Sequence, residues 1–493
     1  MSGTVTDRIL SPPHSRQAGQ YHKGLIIMMR YALAVTAASL LTMVVCAGAA
    51  EVHEVASPDD LSGAMEAAEP GDEIVLADGE WLDADLNITC SGAPDAPITI
   101  RPQTPGGLTL TGISWVRLSG SHLVLSGLRM YGGAREVAGD GVEREQRFAP
   151  IDIRGDHNRV TECAIIDFNP VGREHRYMWV VIRGVGNQVD RCYFRGQDHS
   201  GVTMTVNVDP ERPNEALIYR NYFAGRPPLG ANGGETIRIG TSHVSMSNSH
   251  TTVQENLFEH CDGEIEIISN KSCENRYVGN TFRESAGELT LRHGDRCVVE
   301  GNYFFCNGYE RSRGNGYERA RGIRIIGRDH RVVNNYIYEP ALYGIVFQEG
   351  IVDTPLAGYF QVERALVAFN TIVASSGTPV WMGRSAEFRE DRPLHPIDST
   401  FVGNIFLAPD RPVFARAQFP DNFDWENNFA WGDELGIEHR DGITWTDPML
   451  VEDEHGLLRP ADGSPAADAG FEGAEPVAWR PLTAADVGPS WMD

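Results

Sequence analysis

The chain has 493 residues, and its 68 acidic side chains outnumber its 42 basic ones, which gives a net charge of −26. This balance argues against a nucleic-acid-binding protein, because such proteins use a basic surface to displace the counterions of phosphate groups. It also means that any site for a polyanion must be locally basic. The 52 glycines and the 9% share of aromatic residues favour a turn-rich β protein over a helical one.

The N-terminal region has the pattern of a secretory signal peptide. A basic start at Arg30 is followed by an apolar run over 31–45 and by small residues up to position 50. The run is shorter than the roughly 20 apolar residues that a membrane-spanning helix needs. We therefore predict a non-native upstream extension over 1–27, a signal peptide over 28–50, a secreted or periplasmic location and no stable membrane insertion.

The cysteine pattern favours buried thiols over a disulfide framework. Eight cysteines are present, and Cys46 falls in the predicted signal peptide, which leaves an odd number after export. Cys163 and Cys192 lie 29 residues apart in similar strand-like segments. We predict that they stack as small core residues, and no cysteine spacing matches a zinc site.

A short phrase recurs along the chain, in which β-branched residues and a polar residue precede an Asn and an aromatic or aliphatic pair. The Asn positions step by 35, 24, 22, 33, 35 and 34 residues, and the two cysteine segments extend the series upstream in steps of 29. The positions are Asn221, Asn256, Asn280, Asn302, Asn335, Asn370 and Asn404.

Steps of this size, with one short strand and one Asn-led turn each, predict a parallel β-solenoid. Asn tolerates the left-handed backbone angles of a tight turn, and stacked Asn side chains can bond one another between coils. A β-propeller blade needs about 40–45 residues, more than the shortest steps supply. The predicted fold is an all-β, right-handed parallel β-helix over 51–480, with a short capping helix at Asp59–Ala68 and a tail over 481–493. From Trp431 onward we expect irregular packing on the last coils.

Two carboxylates alternate along one predicted strand. Because alternate side chains of a strand share a face, Glu264 and Glu266 should point outward together while Ile265 and Ile267 point inward. Two outward carboxylates this close repel each other unless a cation or an arginine lies between them.

Lysine usage singles out one position beside these carboxylates. The sequence contains two lysines, Lys23 before the predicted cleavage point and Lys271, against 37 arginines after the signal peptide. A lysine can lose its proton when burial or nearby cations lower its pKa, whereas an arginine cannot. Arg292 follows 21 residues later, about one local repeat, so the two should stack roughly 5 Å apart. Chance is the alternative explanation for the single lysine.

The segment 271–331 is locally basic, with 12 basic and 8 acidic residues. This composition predicts a groove for an anionic polymer, the alternative being a solvated loop. Five arginines crowd around an Asn-Gly turn: Arg311, Arg313, Arg319, Arg321 and Arg324.

Three sequence blocks occur in a specific order. They are Asn232-Gly233-Gly234-Glu235-Thr236-Ile237-Arg238-Ile239-Gly240, Glu264-Ile265-Glu266-Ile267-Ile268-Ser269-Asn270-Lys271-Ser272 and Leu291-Arg292-His293-Gly294-Asp295. In this order they strongly resemble polysaccharide lyase family six, which contains alginate lyases and chondroitinase B. The resemblance extends over most of the chain after the signal peptide, and the length is similar to that of single-domain members.

This resemblance implies an enzyme that cleaves alginate, an anionic polysaccharide, by β-elimination at a uronate residue. It implies a Ca²⁺ site formed by Asn232, Glu264 and Glu266, with Lys271 as Brønsted base and Arg292 as Brønsted acid. A hard cation suits this chemistry, because it can neutralise the uronate carboxylate and stabilise the enolate formed when the C5 proton leaves. The candidate substrate-binding residues are His293, Arg238, Arg321 and Arg324.

Several other functions stay open at the level of sequence. A chondroitinase B-like dermatan sulfate lyase and a uronan C5-epimerase would use the same base and the same neutralised carboxylate. A non-catalytic polysaccharide-binding β-helix leaves the single lysine unexplained. A glycoside hydrolase needs two carboxylic acids in acid and base roles, and a nearby lysine and arginine favour ionised carboxylates instead. The sequence makes no prediction of oligomeric state or of mannuronate against guluronate preference.

Overall fold

The structure of the protein is a computed structural model that describes residues 50–133, 149–230, 232–310, 319–383, 391–415, 422–473 and 479–492. Ala50–Asp493 form one compact unit. The predicted upstream extension and signal peptide lie outside the described residues, apart from Ala50, as do Arg311 and Arg313, and these predictions stay predictions. In the described part of the chain, no helix is both long and apolar enough to cross a membrane.

Three long parallel sheets, here called A, B and C, contain nearly all the strands of the described residues. In the central coils, each turn of the chain contributes one short strand to each sheet, and the next coil adds its strands alongside. This arrangement is a parallel β-helix, so the predicted fold class is confirmed. The sequence forms it because each strand is short and buried on its inward face, and each turn brings the chain to the next sheet.

Sheet A consists of β1 (Val52–Val55), β2 (Glu73–Leu76), β5 (Ile98–Pro102), β8 (Leu123–Ser126), β11 (Arg159–Thr161), β14 (Gln188–Asp190), β17 (Leu217–Tyr219), β20 (Thr252–Gln254), β23 (Arg276–Val278), β26 (Val298–Glu300), β29 (Arg331–Val333), β32 (Leu366–Ala368), β35 (Thr400–Val402) and β38 (Asp424–Glu426). Sheet B consists of β3 (Gly79–Leu82), β6 (Leu108–Thr111), β9 (Arg129–Tyr131), β12 (Ala164–Ile166), β15 (Tyr193–Arg195), β18 (Tyr222–Arg226), β21 (Leu257–Cys261), β24 (Thr281–Arg283), β27 (Tyr303–Phe305), β30 (Tyr336–Tyr338), β33 (Thr371–Val373), β36 (Ile405–Pro412), β39 (Asn428–Glu434) and β40 (Ile443–Trp445).

Sheet C consists of β4 (Asp85–Ile88), β7 (Trp115–Leu118), β10 (Ile151–Ile153), β13 (Val180–Ile182), β16 (Met204–Val206), β19 (Ile237–Gly240), β22 (Glu266–Lys271), β25 (Glu288–His293), β28 (Ile323–Ile325), β31 (Tyr343–Phe347), β34 (Thr378–Met382) and β37 (Phe414–Ala415). Outside these sheets, β41 (Leu450–Glu452) and β42 (Leu458–Pro460) form an antiparallel pair. Short 3-10 turns occur at Pro58–Asp60, Ser242–Val244 and Ala484–Asp486.

The inward-facing side chains of the three sheets form one continuous core. Cys163 and Cys192 lie in this core as free thiols, so the prediction of stacked cysteines is confirmed. Rings on successive strands of sheet B stack with centroid separations of 5.1, 5.1, 4.7 and 4.5 Å, in the order Phe194, Phe223, Phe258, Phe282 and Phe304.

The predicted asparagine ladder runs along the corner between sheets A and B. In each step the Nδ2 group donates to Oδ1 of the Asn in the next coil, at 2.8–3.0 Å, and the ladder continues one step beyond the prediction, to Asn428. The same Oδ1 atoms accept the backbone N–H of the preceding ladder Asn. The ladder therefore satisfies polar groups at a buried corner that no strand pairing reaches.

The left-handed backbone positions of this corner differ from the prediction. The residue before each ladder Asn, and not the Asn itself, has a positive φ, with examples at Glu255 (φ 50), Gly279 (φ 62) and Phe369 (φ 54). The Asn points inward to bond its neighbours, so the sharp change of direction occurs one residue earlier. A non-glycine residue there is strained, which the buried ladder compensates.

The predicted N-terminal capping helix is present as α1 (Leu61–Ala67), preceded by the turn Pro58–Asp60. Leu61 and Ala64 enter the core beside Val55, so the helix shields the first coil.

The predicted irregular packing on the last coils is present, since Leu450, Ala466 and Ala469 pack against Ile405 and Phe429, but it begins later than predicted. Trp431 still lies within β39, so the regular coil continues beyond it. Residues 479–492, here called the C-terminal strap, return along the outside of the molecule to the early coils. Leu482 N–H donates to Thr281 Oγ1 at 2.9 Å, and Trp491 Nε1–H donates to the carbonyl of Glu162 at 2.7 Å.

Candidate active site

The three sequence blocks meet on the outer face of sheet C. Adjacent strands β19, β22 and β25 carry Arg238, then Glu266 and Lys271, then Arg292 and His293. Glu235 lies just before β19, and Glu264 lies just before β22. The coil stacking therefore brings together residues that are up to 58 positions apart in the sequence, from Glu235 to His293.

Three carboxylates form the centre of this site. One ligand oxygen from each of Glu235, Glu264 and Glu266 lies within 4.8 Å of the others. Glu235 and Glu266 are buried and Glu264 is half-buried. Three carboxylates so close together repel one another strongly at low solvent exposure.

Two facing glycines allow the loops that carry these carboxylates to approach each other. A Cβ on Gly234 would lie 2.5 Å from the carbonyl of Gly263, and one on Gly263 would lie 2.1 Å from the oxygen of Gly234. The backbone N–H of Gly233 donates to Glu264 Oε2 at 3.1 Å, which ties the two loops together. Glycine is required at this crossing because the two backbones are in direct contact.

A buried arginine holds the same loops from the interior. Arg226, at the end of β18, has 2% of its surface exposed and donates through Nε to the carbonyl of Gly234 at 2.7 Å. Its other donors contact the Oγ1 of Thr203 at 3.0 Å and the carbonyl of Gly201. Burial lowers the pKa of Arg226 to about 10, and the negative charges of Glu235 and Glu264 oppose that shift.

Burial and repulsion affect the two predicted carboxylates in opposite ways. Burial, together with the charges of Glu235 and Glu266, raises the pKa of Glu264 to about 8. Burial acts on Glu266 in the same direction, but the charges of Arg324 and Lys271 outweigh it and leave the pKa of Glu266 below its usual value. The cluster as it stands therefore lacks positive charge near Glu264.

Arg324 supports Glu266 from behind the site and does not face the groove. It has 2% of its side chain exposed, contacts Glu266 through Nη2 and lies 2.9 Å from Glu288 Oε1 through Nε. Burial would lower the pKa of Arg324, but the two carboxylates outweigh it and raise that pKa. Tyr343 donates its hydroxyl to the other oxygen of Glu288 at 2.5 Å.

The sequence predicts substrate contacts for Arg321 and Arg324, but both side chains are buried and contact protein carboxylates instead. Arg321 has 3% of its side chain exposed and lies 4.0 Å from Glu288. Both guanidinium groups lie against buried protein carboxylates, Glu288 for Arg321 and both Glu266 and Glu288 for Arg324. These contacts hold the carboxylates in place.

Lys271 lies at the edge of the carboxylate cluster. Its Nζ is 3.7 Å from Glu235 Oε1, and Nη1 of Arg238 is 3.8 Å from the same oxygen. The side chain of Lys271 is 18% exposed, so its amine is reachable from solvent. On the neighbouring strand, Gly240 has φ +79, and a Cβ there would lie 2.6 Å from the carbonyl of Lys271.

Arg292 occupies a bulge beside Lys271. Asn270 pairs with Leu291, but Lys271 pairs with His293, so Arg292 lies between the paired positions. The predicted proximity of Lys271 and Arg292 is present, although the strand partner of the lysine is His293. A bulge of this kind redirects a side chain next to a functional site.

A second bulge modifies the predicted alternation of the acidic strand. The pairing shifts between Glu266 and Ile268, and Ile267 and Ile268 both enter the core. Ile265 precedes the strand and is half-buried. Glu266 and Ile267 therefore still alternate as predicted, and the irregularity adds Ile268 as a second inward residue.

An aromatic ring and a neighbouring loop position the guanidinium of Arg292. Its Nη1 donates to the carbonyl of Gly358 at 3.0 Å, and its Cζ lies 4.1 Å from the ring centroid of Tyr359. Arg392 packs on the same ring at 3.6 Å. Burial lowers the pKa of Arg292 from its ordinary value.

His293 is a neutral side chain in this setting. Burial and the charges of Arg292 and Lys271 lower the pKa of His293 to about 3. One ring nitrogen lies 3.1 Å from Ser242 Oγ, and the other lies 3.3 Å from Nη1 of Arg292. The ring is therefore fixed between a hydroxyl and a guanidinium.

The donor set fits a hard cation. Oε2 of Glu235 is buried and has no hydrogen-bond partner among the described residues, as expected for an oxygen that awaits a positive charge. Carboxylate oxygens are the ligands that Ca²⁺ prefers. Asn232 is exposed and directly precedes Gly233, at the rim of the same cluster.

Sequence reasoning missed several residues of the site. Glu235 lies inside the first block, but its carboxylate joins the cluster only through the loop crossing at Gly234 and Gly263. Arg226 and Tyr359 belong to segments outside the three blocks. A signal for Glu235 was present, since it is an acidic residue one coil before Glu264; the sequence carries no comparable signal for Arg226 or Tyr359.

Comparison with known proteins identifies the family and the fold. The sequence profile described as chondroitinase B matches residues 55–473. No curated protein matches the sequence. The solved structure of the PL6 family alginate lyase AlyGC is 32% identical, with a TM-score of 0.80 over 90% of this chain and 59% of that chain.

Two further solved structures share the architecture. A mannuronic-acid-specific family 6 lyase from human gut microbiota is 28% identical, with a TM-score of 0.72 over 90% of this chain and 97% of that chain. The PL6 family polysaccharide lyase Pedsa3628 from Pseudopedobacter saltans is 24% identical, with a TM-score of 0.71 over 90% of this chain and 100% of that chain, and shows the same fold.

The fold and the site thus define a parallel β-helix with a carboxylate, lysine and arginine centre on one sheet. The chain belongs to the chondroitinase B family, and its structural neighbours place it in polysaccharide lyase family six. It spans 59% of the length of AlyGC.

Proposed function

We propose that the protein is a polysaccharide lyase that cleaves alginate by β-elimination, with Ca²⁺ at the carboxylate cluster, Lys271 as base and Arg292 as acid. The observation that carries the proposal is the position of Lys271 Nζ, 3.7 Å from Glu235 in the three-carboxylate cluster and beside Arg292. A reachable amine next to a cation site is the arrangement that removal of a C5 proton requires.

Glu235, Glu264 and Glu266 would hold the cation, with Asn232 at the rim as a further oxygen donor. Bound Ca²⁺ would supply charge neutralisation of the uronate carboxylate and so acidify its C5 proton. Arg324 keeps Glu266 ionised, and the Gly233 N–H orients Glu264. Both contacts fix the ligand oxygens before substrate arrives.

Lys271 would accept the C5 proton through its neutral amine. The bond to the leaving oxygen at C4 then breaks, and the C4–C5 double bond forms. Arg292, whose pKa burial lowers, would stabilise the departing oxygen and deliver its proton directly or through water. His293 stays neutral and orients Arg292 through the 3.3 Å contact.

Two features oppose a hydrolase. Glycosidases place an acid and a base on either side of the scissile bond, whereas here three carboxylates converge within 4.8 Å on a single point. The nearby Lys271 and Arg324 also lower the pKa of Glu266, which would keep it from acting as an acid.

A dermatan sulfate lyase is the second candidate function. The matching family profile is described as chondroitinase B, and Arg292 and Arg392 pack on one tyrosine ring where a charged sugar substituent could lie. The choice of alginate is supported by the names of the structures with the higher identities, which are described as an alginate lyase and a mannuronic-acid-specific lyase.

The first test replaces the proposed base. Lys271→Ala should lower turnover of alginate by roughly 1,000-fold or more, in line with the loss of a general base. Lys271→Arg is the conservative companion variant: it keeps a long basic side chain but cannot lose its proton at neutral pH, so it should be equally inactive. The measurement is ultraviolet absorbance of the unsaturated product with alginate and with dermatan sulfate, in calcium and then in chelator.

The outcomes of this test separate the candidates. Product from alginate that disappears with chelator agrees with the proposal, and product from dermatan sulfate alone would transfer the mechanism to the second candidate. Lys271→Ala with near wild-type turnover would remove Lys271 as base. No product from either polymer would remove the lyase proposal.

A further inference from the structure

The column of sheet C that carries Lys271 continues across the preceding coils. Gly240 pairs directly with Lys271, and the strand register places Asn207, Arg183 and Arg154 at the same position in the three coils before it. At a strand spacing of about 4.8 Å, Arg183 and Arg154 lie about 14 and about 19 Å from Lys271. Two cations therefore stand in line with the proposed base, several coils upstream.

The positions between them carry no negative charge. Gly240 has no side chain, and Asn207 is neutral and half-buried. A polyanion that lies over Lys271 and follows this column would meet no acidic side chain at these two positions. At these two positions, no negative charge repels a polyanion between the candidate active site and the upstream arginines.

A buried carboxylate organises the upstream cations into a group. Asp152, which is 2% exposed on β10, accepts from Arg154 Nε at 2.7 Å and from Arg183 Nε at 3.1 Å. Nε of Arg117, on the neighbouring strand β7, lies 3.5 Å from the same carboxylate. Arg117, Arg154 and Arg183 are here called the arginine trio.

The trio keeps its outer donors available. Each arginine faces Asp152 through Nε, and among the described residues no hydrogen bond is made by the terminal Nη1 and Nη2 groups of the three. Their side chains are 31%, 38% and 30% exposed. Arg117 is also fixed over the ring of Trp115 at 4.2 Å.

The charge balance of the group favours an anion. Three guanidinium groups face one buried carboxylate, and burial and the charge of Arg154 lower the pKa of Arg117. Asp85, also near Arg117, is exposed on β4. One arginine would be enough to form an ion pair with Asp152. Three arginines that present paired N–H donors match successive carboxylates of a polymer.

We propose that the arginine trio is a remote subsite that binds uronate carboxylates of the same chain whose cleavage occurs at Lys271. This inference rests on the proposed function, since it takes the anionic polysaccharide as ligand. The subsite lies three to five strands from Lys271, so it is engaged by long chains and not by short oligosaccharides. It gives an acidic protein a second point of attraction for a polyanion.

The test compares a double variant with a matched control. Arg154→Gln with Arg183→Gln leaves Arg117 beside Asp152, so the buried carboxylate keeps a cationic partner. The control, Arg101→Gln with Arg159→Gln, removes the same charge from sheet A, where these arginines pair with Glu73 and Asp190. Circular dichroism melting confirms that both proteins are folded.

Kinetics on long and short substrates give the first readout. The trio variant should raise KM for polymeric alginate by roughly five-fold at low salt, as expected for the loss of two exposed charge pairs, with kcat unchanged. The KM for an alginate trisaccharide should not change, and the difference should shrink in high salt. Equal KM values for the polymer in the trio variant and the control would overturn the proposal.

Retardation in a native gel that contains alginate gives a readout without turnover. In a Lys271→Ala background, the trio substitutions should reduce retardation and the control substitutions should not. If the wild-type protein fails to cleave alginate, the proposed function fails, but the gel still tests the subsite. Equal retardation of the trio variant and the control variant would also overturn the proposed subsite.

Discussion

At the scale of single residues, Arg226 is the least expected part of the site. It is a buried cation whose hydrogen-bond acceptors are neutral carbonyl, amide and hydroxyl oxygens. Such a charge is costly to bury, and here the nearby carboxylates Glu235 and Glu264 offset that cost. Its bond to Gly234 fixes the loop that carries Glu235.

Replacing Arg226 should weaken the cation site. We expect Arg226→Met to lower Ca²⁺ affinity by about 10- to 100-fold, since residues that orient metal ligands have effects of this size. Isothermal titration calorimetry measures the change. Arg220→Met, at a partly exposed pair with Glu255, is the control and should bind Ca²⁺ as the wild type does. An unchanged affinity in Arg226→Met would contradict this role.

At the scale of elements, the asparagine ladder is the repeating device that holds the coils in register. Asn280 accepts from both nitrogens of Asn256 and donates to the carbonyl of Val253 and to Asn302. Asn428, at the end of the ladder, accepts from Asn404 in the same way but has no following Asn. Its Nδ2 group donates to the carbonyls of Phe401 and Gly442 instead. Removal of Asn280 therefore divides the ladder, whereas removal of Asn428 only shortens it.

Removal of an interior ladder residue should cost more than removal of the last one. Asn280→Ala leaves buried donors and acceptors unpaired in two coils, and each unpaired group costs about 1–3 kcal/mol. We expect the free energy of unfolding to fall by about 2–4 kcal/mol, with a smaller loss in Asn428→Ala. Denaturant unfolding followed by circular dichroism measures both, and equal losses would argue against cooperation along the ladder.

The ladder was predictable because its Asn residues recur every 22 to 35 residues within similar short segments. The left-handed residue before each Asn was not, since Glu255, Gly279 and Phe369 share no side-chain property. The candidate site also has residues that the sequence predicts and residues that it does not. Glu264, Glu266 and Lys271 lie close together in one sequence block, whereas Glu235 and Tyr359 join through loops whose lengths vary from coil to coil.

At the scale of the whole molecule, the C-terminal strap links distant coils. It bonds Tyr303 through the carbonyl of Trp479, Arg220 through Gly488 and Glu162 through Ser490 and Trp491. Leu482 and Val487 also bury against Leu257. No repeat marks this segment, so its return along the outside could not be derived from the sequence.

Deleting the strap should destabilise the protein without touching the site. A chain that ends at residue 478 exposes Leu257 and Tyr222 and loses the burial of Leu482 and Val487, about 1.5–3 kcal/mol for each apolar side chain. We expect a melting temperature several degrees lower, with specific activity retained at low temperature. Trp491→Ala should give a smaller decrease, and a truncated protein that melts as the full chain does would show the strap to be dispensable.

The central claim is that the carboxylate cluster, Lys271 and Arg292 carry out an elimination. The most direct test is mass spectrometry of the products formed from alginate, with Ca²⁺ present, in water enriched in heavy oxygen. Elimination predicts shortened chains with an unsaturated end and no heavy oxygen in the new termini. Heavy oxygen at the cleaved bond would indicate hydrolysis, and unshortened chains with inverted C5 centres would indicate an epimerase; either result would contradict the account.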